Sequence, residues 1–164
     1  MSDKRKLNAV RDRFLSFVRT ARQHFGVIVI DCNPSSSFFT LCALHACTHL
    51  LVPVRPDRYS ILGLELLAEF VSSIDEIDPK PPLSIVLNGV PRGGYDPSVE
   101  NELRAHKQFG ASTLANVIHQ SNILIAGPAY TGFAADKPVP HRGKVVAEMS
   151  AVADELAVSL GIKK

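Results

Sequence analysis

Apolar residues near the start of the chain recur at three- and four-residue steps, at Leu7, Val10, Phe14, Phe17, Val18, Ala21 and Phe25. That spacing puts them on one stripe of an α-helix. Lys4, Arg11, Arg13, Arg19 and Arg22 point largely elsewhere, and Gly26 supplies a stop signal. Past this point the pattern changes to short unbroken apolar runs, at 27–31 (Val-Ile-Val-Ile-Asp), 50–54 (Leu-Leu-Val-Pro-Val) and 83–88 (Leu-Ser-Ile-Val-Leu-Asn), with a weaker one near 113–118. These predict strands, and the stretches 36–48, 60–77, 97–109 and 143–160 between and after them predict helices. Strands that are apolar throughout belong to a sheet covered on both faces, so the expected fold is a three-layer α/β sandwich with a mainly parallel sheet. The segments 79–82 and 127–142 are irregular, and long loops at the carboxyl side of such sheets commonly carry binding groups.

Length and composition add bounds to this picture. The 164 residues, 46% of them hydrophobic, suit a single domain spanning 1–164 with a real core. No run of about 18 apolar residues offers a membrane span, and the N-terminus leads into an amphipathic segment rather than a signal-type apolar run, so cytoplasm is the expected location, with no membrane partner. Three cysteines set in apolar sequence argue for reduced, buried thiols rather than a disulfide framework. The net charge of +2 is uneven. Residues 1–26 hold seven Lys or Arg against two Asp, leaving 11 basic against 14 acidic residues elsewhere. The basic first helix reads as an ordinary solvated face, with phosphate contact as the alternative.

The run 27–31 ends on Asp31, and Cys32-Asn33-Pro34-Ser35-Ser36-Ser37 then opens into a helix. Just past the carboxyl end of a strand is where open α/β sheets hold ligands and their metals. Taken alone, Asp31 is also suited to capping the following helix. The 164 residues contain no G-x-x-x-x-G-K-[ST] phosphate loop, and the only Gly-Lys pair, Gly143-Lys144, is followed by Val145. Cys42, His45, Cys47 and His49 are residue types that zinc prefers, but only Cys42, His45 and His49 share a helical face. The bland reading, a buried helix with small thiols, is preferred there. His24, His106, His119 and His141 are isolated, and no nucleophilic triad can be argued from order alone.

Four stretches carry a resemblance: 27–35 (Val-Ile-Val-Ile-Asp-Cys-Asn-Pro-Ser), 40–44 (Thr-Leu-Cys-Ala-Leu), 51–64 (Leu-Val-Pro-Val-Arg-Pro-Asp-Arg-Tyr-Ser-Ile-Leu-Gly-Leu) and 136–139 (Asp-Lys-Pro-Val). Together they resemble the C-terminal part of the ParA/MinD family of partition ATPases, P-loop NTPases whose N-terminal part holds a deviant Walker A loop. The resemblance covers essentially the whole chain. It implies that Asp31 is the Walker B aspartate, reaching a magnesium ion usually through water. Asn33 stands where the family favours the first proline of Asp-x-Pro-Pro, and residues 35–37 would still offer helix N-terminal N–H groups to an anion. The resemblance also implies that Asn88, with its two-way amide, and Pro128 flank the base of ATP.

For DNA, the resemblance implies Arg92, Arg104 and Lys107 as contacts. Gln120 and Ile123 occupy places where arginine is common in the family. Non-specific DNA affinity counts neutralised phosphates, so binding is expected to be weak. Without the phosphate loop, Mg and ATP would bind poorly and the isolated chain is not expected to hydrolyse ATP; no catalytic residue is assigned. In the family the phosphate-loop strand lies beside the Walker B strand, so its absence would leave Val27 to Ile30 on an open apolar edge. The expectation is therefore a homodimer, or an association with a related ATPase or partition protein, serving plasmid or chromosome partitioning. One alternative is half of a split ATPase that binds ATP and Mg only when assembled; another is a truncated remnant without activity.

Overall fold

The apolar stripe of the N-terminal segment forms α1 (Ser2–Ala21), which packs on α2 (Phe38–Ala46). Val18 of α1 and Cys42, Ala43, Leu44 and Ala46 of α2 are buried. The Arg22 guanidinium donates to the Ala46 carbonyl at 2.5 Å, covering an oxygen that the end of α2 leaves without a helical partner. At the other end of α2, Ser37 is the N-cap, its hydroxyl accepting from the Thr40 N–H at 3.3 Å. The computed structural model describes residues 2–32, 37–124 and 142–162. They divide into two units, Met1–Thr48 with Phe70–Pro81, and His49–Glu69 with Pro82–Lys164.

One expectation fails in the first unit. Residues 27–31 belong to no strand, and among the described residues they make no backbone–backbone hydrogen bond, the Ile30 carbonyl accepting only from the Cys32 thiol at 3.8 Å. Val29 is 88% exposed. An apolar run becomes a strand only when a neighbour satisfies its N–H and C=O groups, and the described residues supply none.

The second unit holds a parallel sheet in the order β1 (Leu50–Val54), β2 (Leu83–Val90), β3 (Ile118–His119). Helices α3 (Arg58–Ser72), α4 (Ser98–Ala105) and α5 (Arg142–Ser159) complete the elements. The register Val52↔Ile85 and Val54↔Leu87 aligns alternate side chains on one face. There Val54, Ile85 and Leu87 meet Leu64 of α3, Leu103 of α4 and Phe109. On the opposite face Val86 meets Leu114, Ile118 and Val152 of α5. Helices therefore cover both faces, and the three-layer parallel α/β expectation holds. Between Asn88 and Val90 the register slips by a bulge, with Gly89 at φ +74°. The extra residue flips the alternation, which returns Val90 to the face of Ile85 and Leu87.

Local chemistry sets the helix starts. Asp57 caps α3 through the Ser60 N–H at 2.9 Å, and Asp96 accepts from the Ser98 N–H at 2.9 Å before α4. The weak fourth strand reduces to an isolated bridge, Ile85↔Thr113, and to the two residues of β3. The cause lies on α5. Glu155 accepts from the Ala115 N–H at 2.6 Å, the Asn116 N–H at 2.9 Å and the Asn116 side-chain amide at 2.8 Å, so a carboxylate replaces the neighbouring strand. Seven residues earlier on the same helix, Glu148 accepts from Arg92 at 2.8 Å and from the His119 N–H at 3.2 Å.

Both carboxylates are held below the usual glutamate range. Burial alone would raise them, but donors from His119 and Arg92 at Glu148, and from Asn116 and Ala115 at Glu155, outweigh it. A carboxylate whose folded pKa is depressed contributes stability above its unfolded pKa, and that contribution is lost as pH falls through the folded value. Urea denaturation followed from neutral pH down to about pH 3 should therefore show the wild type losing stability below the ordinary glutamate pKa of about 4.3. Glu155→Ala should cost about 1.5 to 3 kcal/mol at neutral pH, as expected for hydrogen bonds to a charged group, and should flatten the acid limb. An unchanged acid limb in that variant would refute the clamp.

Candidate functional site

Asp31 sits at the end of the unpaired run and lines a cavity of about 480 Å³ in the first unit. The polar part of its wall is the Asp31 carboxylate, the Cys32 thiol and the hydroxyls of Ser37 and Thr40, the two hydroxyl oxygens 3.1 Å apart. The rest of the described wall is Val10 and Phe14 of α1, Ile30, Phe38 and Phe39 at the start of α2, and Cys42. Cys32 is exposed, against the expectation of buried thiols, and partial desolvation together with the neighbouring Asp31 charge pushes its thiol up.

A hard dication such as magnesium takes oxygen ligands, keeps several waters, and needs only one or two protein carboxylates when phosphates supply the rest. Asp31 with the nearby hydroxyls fits such a one-carboxylate contact, and no cluster of three or more His, Cys, Asp or Glu competes among the described residues. Bound there, the ion would neutralise phosphate charge.

The other residues singled out from sequence lie in the second unit. Asn88 ends the regular part of β2 beside the bulge, exposed, opposite Ile118. Pro128 lies outside the described residues. Arg92 pairs with Glu148, whereas Arg104 bonds to Glu100 at 2.9 Å and to the Leu114 carbonyl at 2.9 Å. Lys107 is exposed. His49 donates to or accepts from Ser84 at 2.8 Å, which satisfies the buried Ser84 hydroxyl, and burial holds the imidazole below its usual pKa. Sequence reasoning passed over Glu148 and Glu155. Their partners lie 29 to 56 residues away in the chain, and no local pattern marks them.

A parallel sheet with helices on both faces defines an α/β domain. A family model described as an AAA domain matches residues 3–85, about half of the chain. The chain belongs to that family, as a ParA-like, partial P-loop NTPase. A ParA family protein of Chlamydia pneumoniae is 30% identical over 128 residues, 78% of this chain and 48% of that protein. Another, from Chlamydia muridarum, is 32% identical over 77 residues, 47% of this chain and 30% of its own length. An uncharacterized protein of Pseudomonas putida is 27% identical over 129 residues, 76% of this chain and 48% of that protein. The chain spans about half the length of the curated relatives it matches. No solved structure matches it. Among the described residues, no helix is long and apolar enough to cross a membrane.

Proposed function

We propose that this chain acts in plasmid or chromosome partitioning, in the cytoplasm, as a ParA-like protein that works through an associated polypeptide rather than by hydrolysing ATP alone. The observation that carries this reading is the run 27–31, apolar up to Asp31, with Val27 and Val29 exposed and no backbone–backbone hydrogen bond among the described residues. Apart from the Ile30 carbonyl, which accepts from the Cys32 thiol, its four apolar residues keep their N–H and C=O groups, so it is a template for an incoming strand. The other open stretch is poorer. Leu50 donates to Pro82 at 2.9 Å, so residues 50, 52 and 54 address β2 while Leu51 and Pro53 face outward. Pro53 has no N–H, which blunts that edge. The associated chain is a related ATPase, a partition protein or a second copy.

The test is calorimetric titration with ATP and magnesium. The isolated chain should show no micromolar binding; such binding would overturn the proposal. Val29→Pro removes one N–H from the template and should weaken capture of a phosphate-loop polypeptide at least tenfold, a loss of about 1.4 kcal/mol.

The cavity supports a second reading, a split ATPase in which Asp31 faces magnesium, Asn88 and Pro128 face the base, and the associated chain brings the phosphate loop. Asp31→Ala should then abolish magnesium-dependent ATP binding by the assembly while leaving the association intact. Non-specific DNA contact through Arg92, Arg104 and Lys107 would be a weak accompaniment, because the first two already have carboxylate partners.

A further inference from the structure

Helix α3 is apolar on two faces. Leu64, with Ile61 and Ala68 beside it, packs into the core on the sheet. Away from the core run Tyr59, Leu62 and Leu66, one stripe at three- and four-residue steps, exposed by 85%, 53% and 58%. A helix apolar on both faces is the pattern of one covered on both. Next to the middle of the stripe is Gly63, where an added Cβ would meet nothing within 4 Å, so no side chain holds an approaching backbone away. At 100° per residue, Arg58, Glu65 and Glu69 fall together along one flank, and all three are exposed. Arg58 and Glu69 have no ion partner among the described residues, while Glu65 lies 3.9 Å from His106.

These charges are arranged in a self-complementary way. Two antiparallel copies of the helix, related by a two-fold axis passing between Leu62 and Gly63, keep the charged flank on the same side of the pair. Arg58 of one copy then falls between Glu65 and Glu69 of the other, and the reverse pairing follows by symmetry. The same axis sets Tyr59 against Leu66 and Leu62 against its own counterpart. In a parallel pair the two charged flanks would lie on opposite sides and would not meet. We propose that the outer face of α3 is a self-association surface that joins two copies of this chain antiparallel about that axis. The surface lies on a different element from the 27–31 run, so its failure would leave the partnership reading standing.

One helix pair covers less than the area of about 1,200 Å² typical of stable complexes, so the dimer is weak and concentration-dependent. Sedimentation equilibrium of the full chain from about 5 to 500 μM, a range that brackets such a small interface, should show the weight-average mass rising towards twice that of the monomer. Leu62→Glu should abolish the rise with an unchanged circular dichroism spectrum. The charge variants are more discriminating. Arg58→Glu makes the flank wholly acidic, and Glu65→Arg with Glu69→Arg makes it wholly basic. Each should be monomeric alone, and an equimolar mixture should dimerise at least as tightly as wild type, more so at low salt. A wild type that stays monomeric throughout, a dimer indifferent to Leu62→Glu, or oppositely charged variants that fail to associate on mixing would each overturn the proposal.

Discussion

Gly110→Ala should destabilise the second unit by about 2 to 4 kcal/mol, the range of forced overpacking where no side chain can give way. A Cβ added at this glycine would lie 2.3 Å from the Arg104 carbonyl oxygen and 3.1 Å from its carbon. Both atoms are backbone at the end of α4, so relief requires the chain to move. The chain is tethered on both sides: Gly110 donates to the His106 carbonyl at 2.8 Å, and the next turn is closed by Thr113 donating back to Gly110 at 3.1 Å. The need here is for close approach, not for a left-handed conformation. Gly93→Ala is the matched control, since a Cβ there meets nothing within 4 Å, and it should stay within about 0.5 kcal/mol of wild type. Thermal unfolding reads the difference as a fall in Tm of about 4 to 16 °C for a chain of this size. A Gly110→Ala variant as stable as the Gly93 control would refute the argument.

What could be read in the sequence was set by local physics. The 3.6-residue stripe marked α1, and unbroken apolar runs marked β1 and β2 to within two residues, because those signals depend on each segment's own side chains. The features that failed depend on distant residues. Val27 to Ile30 look like a strand in sequence, but strand formation needs a partner, and the described residues provide none. Residues 113–118 lose strand character because Glu155 takes the N–H groups of Ala115 and Asn116. Helix α3 stops at Ser72, short of the predicted end at 77: the Ser73 hydroxyl turns back onto the Phe70 carbonyl, and Ile74 and Ile77 are buried in the turn that follows. At the candidate site, the position of Asp31 after an apolar run was legible from order alone. The apolar wall contributed by Val10 and Phe14 was not, since it depends on how α1 packs against α2.

Phe109→Ala should cost about 3 to 5 kcal/mol, the range for removing a buried aromatic side chain, and Phe109 is the largest fully buried side chain among the described residues. The ring is 1% exposed and packs with Leu87, Ile85 and Leu103 in the core on one face of the sheet. It also stacks on His106 with centroids 4.7 Å apart and planes 14° apart. Phe109→Leu keeps much of the volume and should cost less than about 1.5 kcal/mol, showing that the loss comes from the cavity. Because Phe109 and Gly110 share one turn, the two effects should not add. Once the ring no longer pins the turn against the core, the backbone can move away from the Arg104 carbonyl, and Gly110→Ala should cost about 0.5 to 3 kcal/mol less in that background. The same turn leads into the strand whose Ile118 registers with Asn88. Amide exchange at Val90 and Gln120, where the Gln120 N–H donates to the Val90 carbonyl at 2.8 Å, should therefore quicken in Phe109→Ala and stay near wild type in Phe109→Leu. Additive costs, or exchange in this strand that ignores Phe109→Ala, would show that the turn and the neighbourhood of Asn88 are mechanically separate.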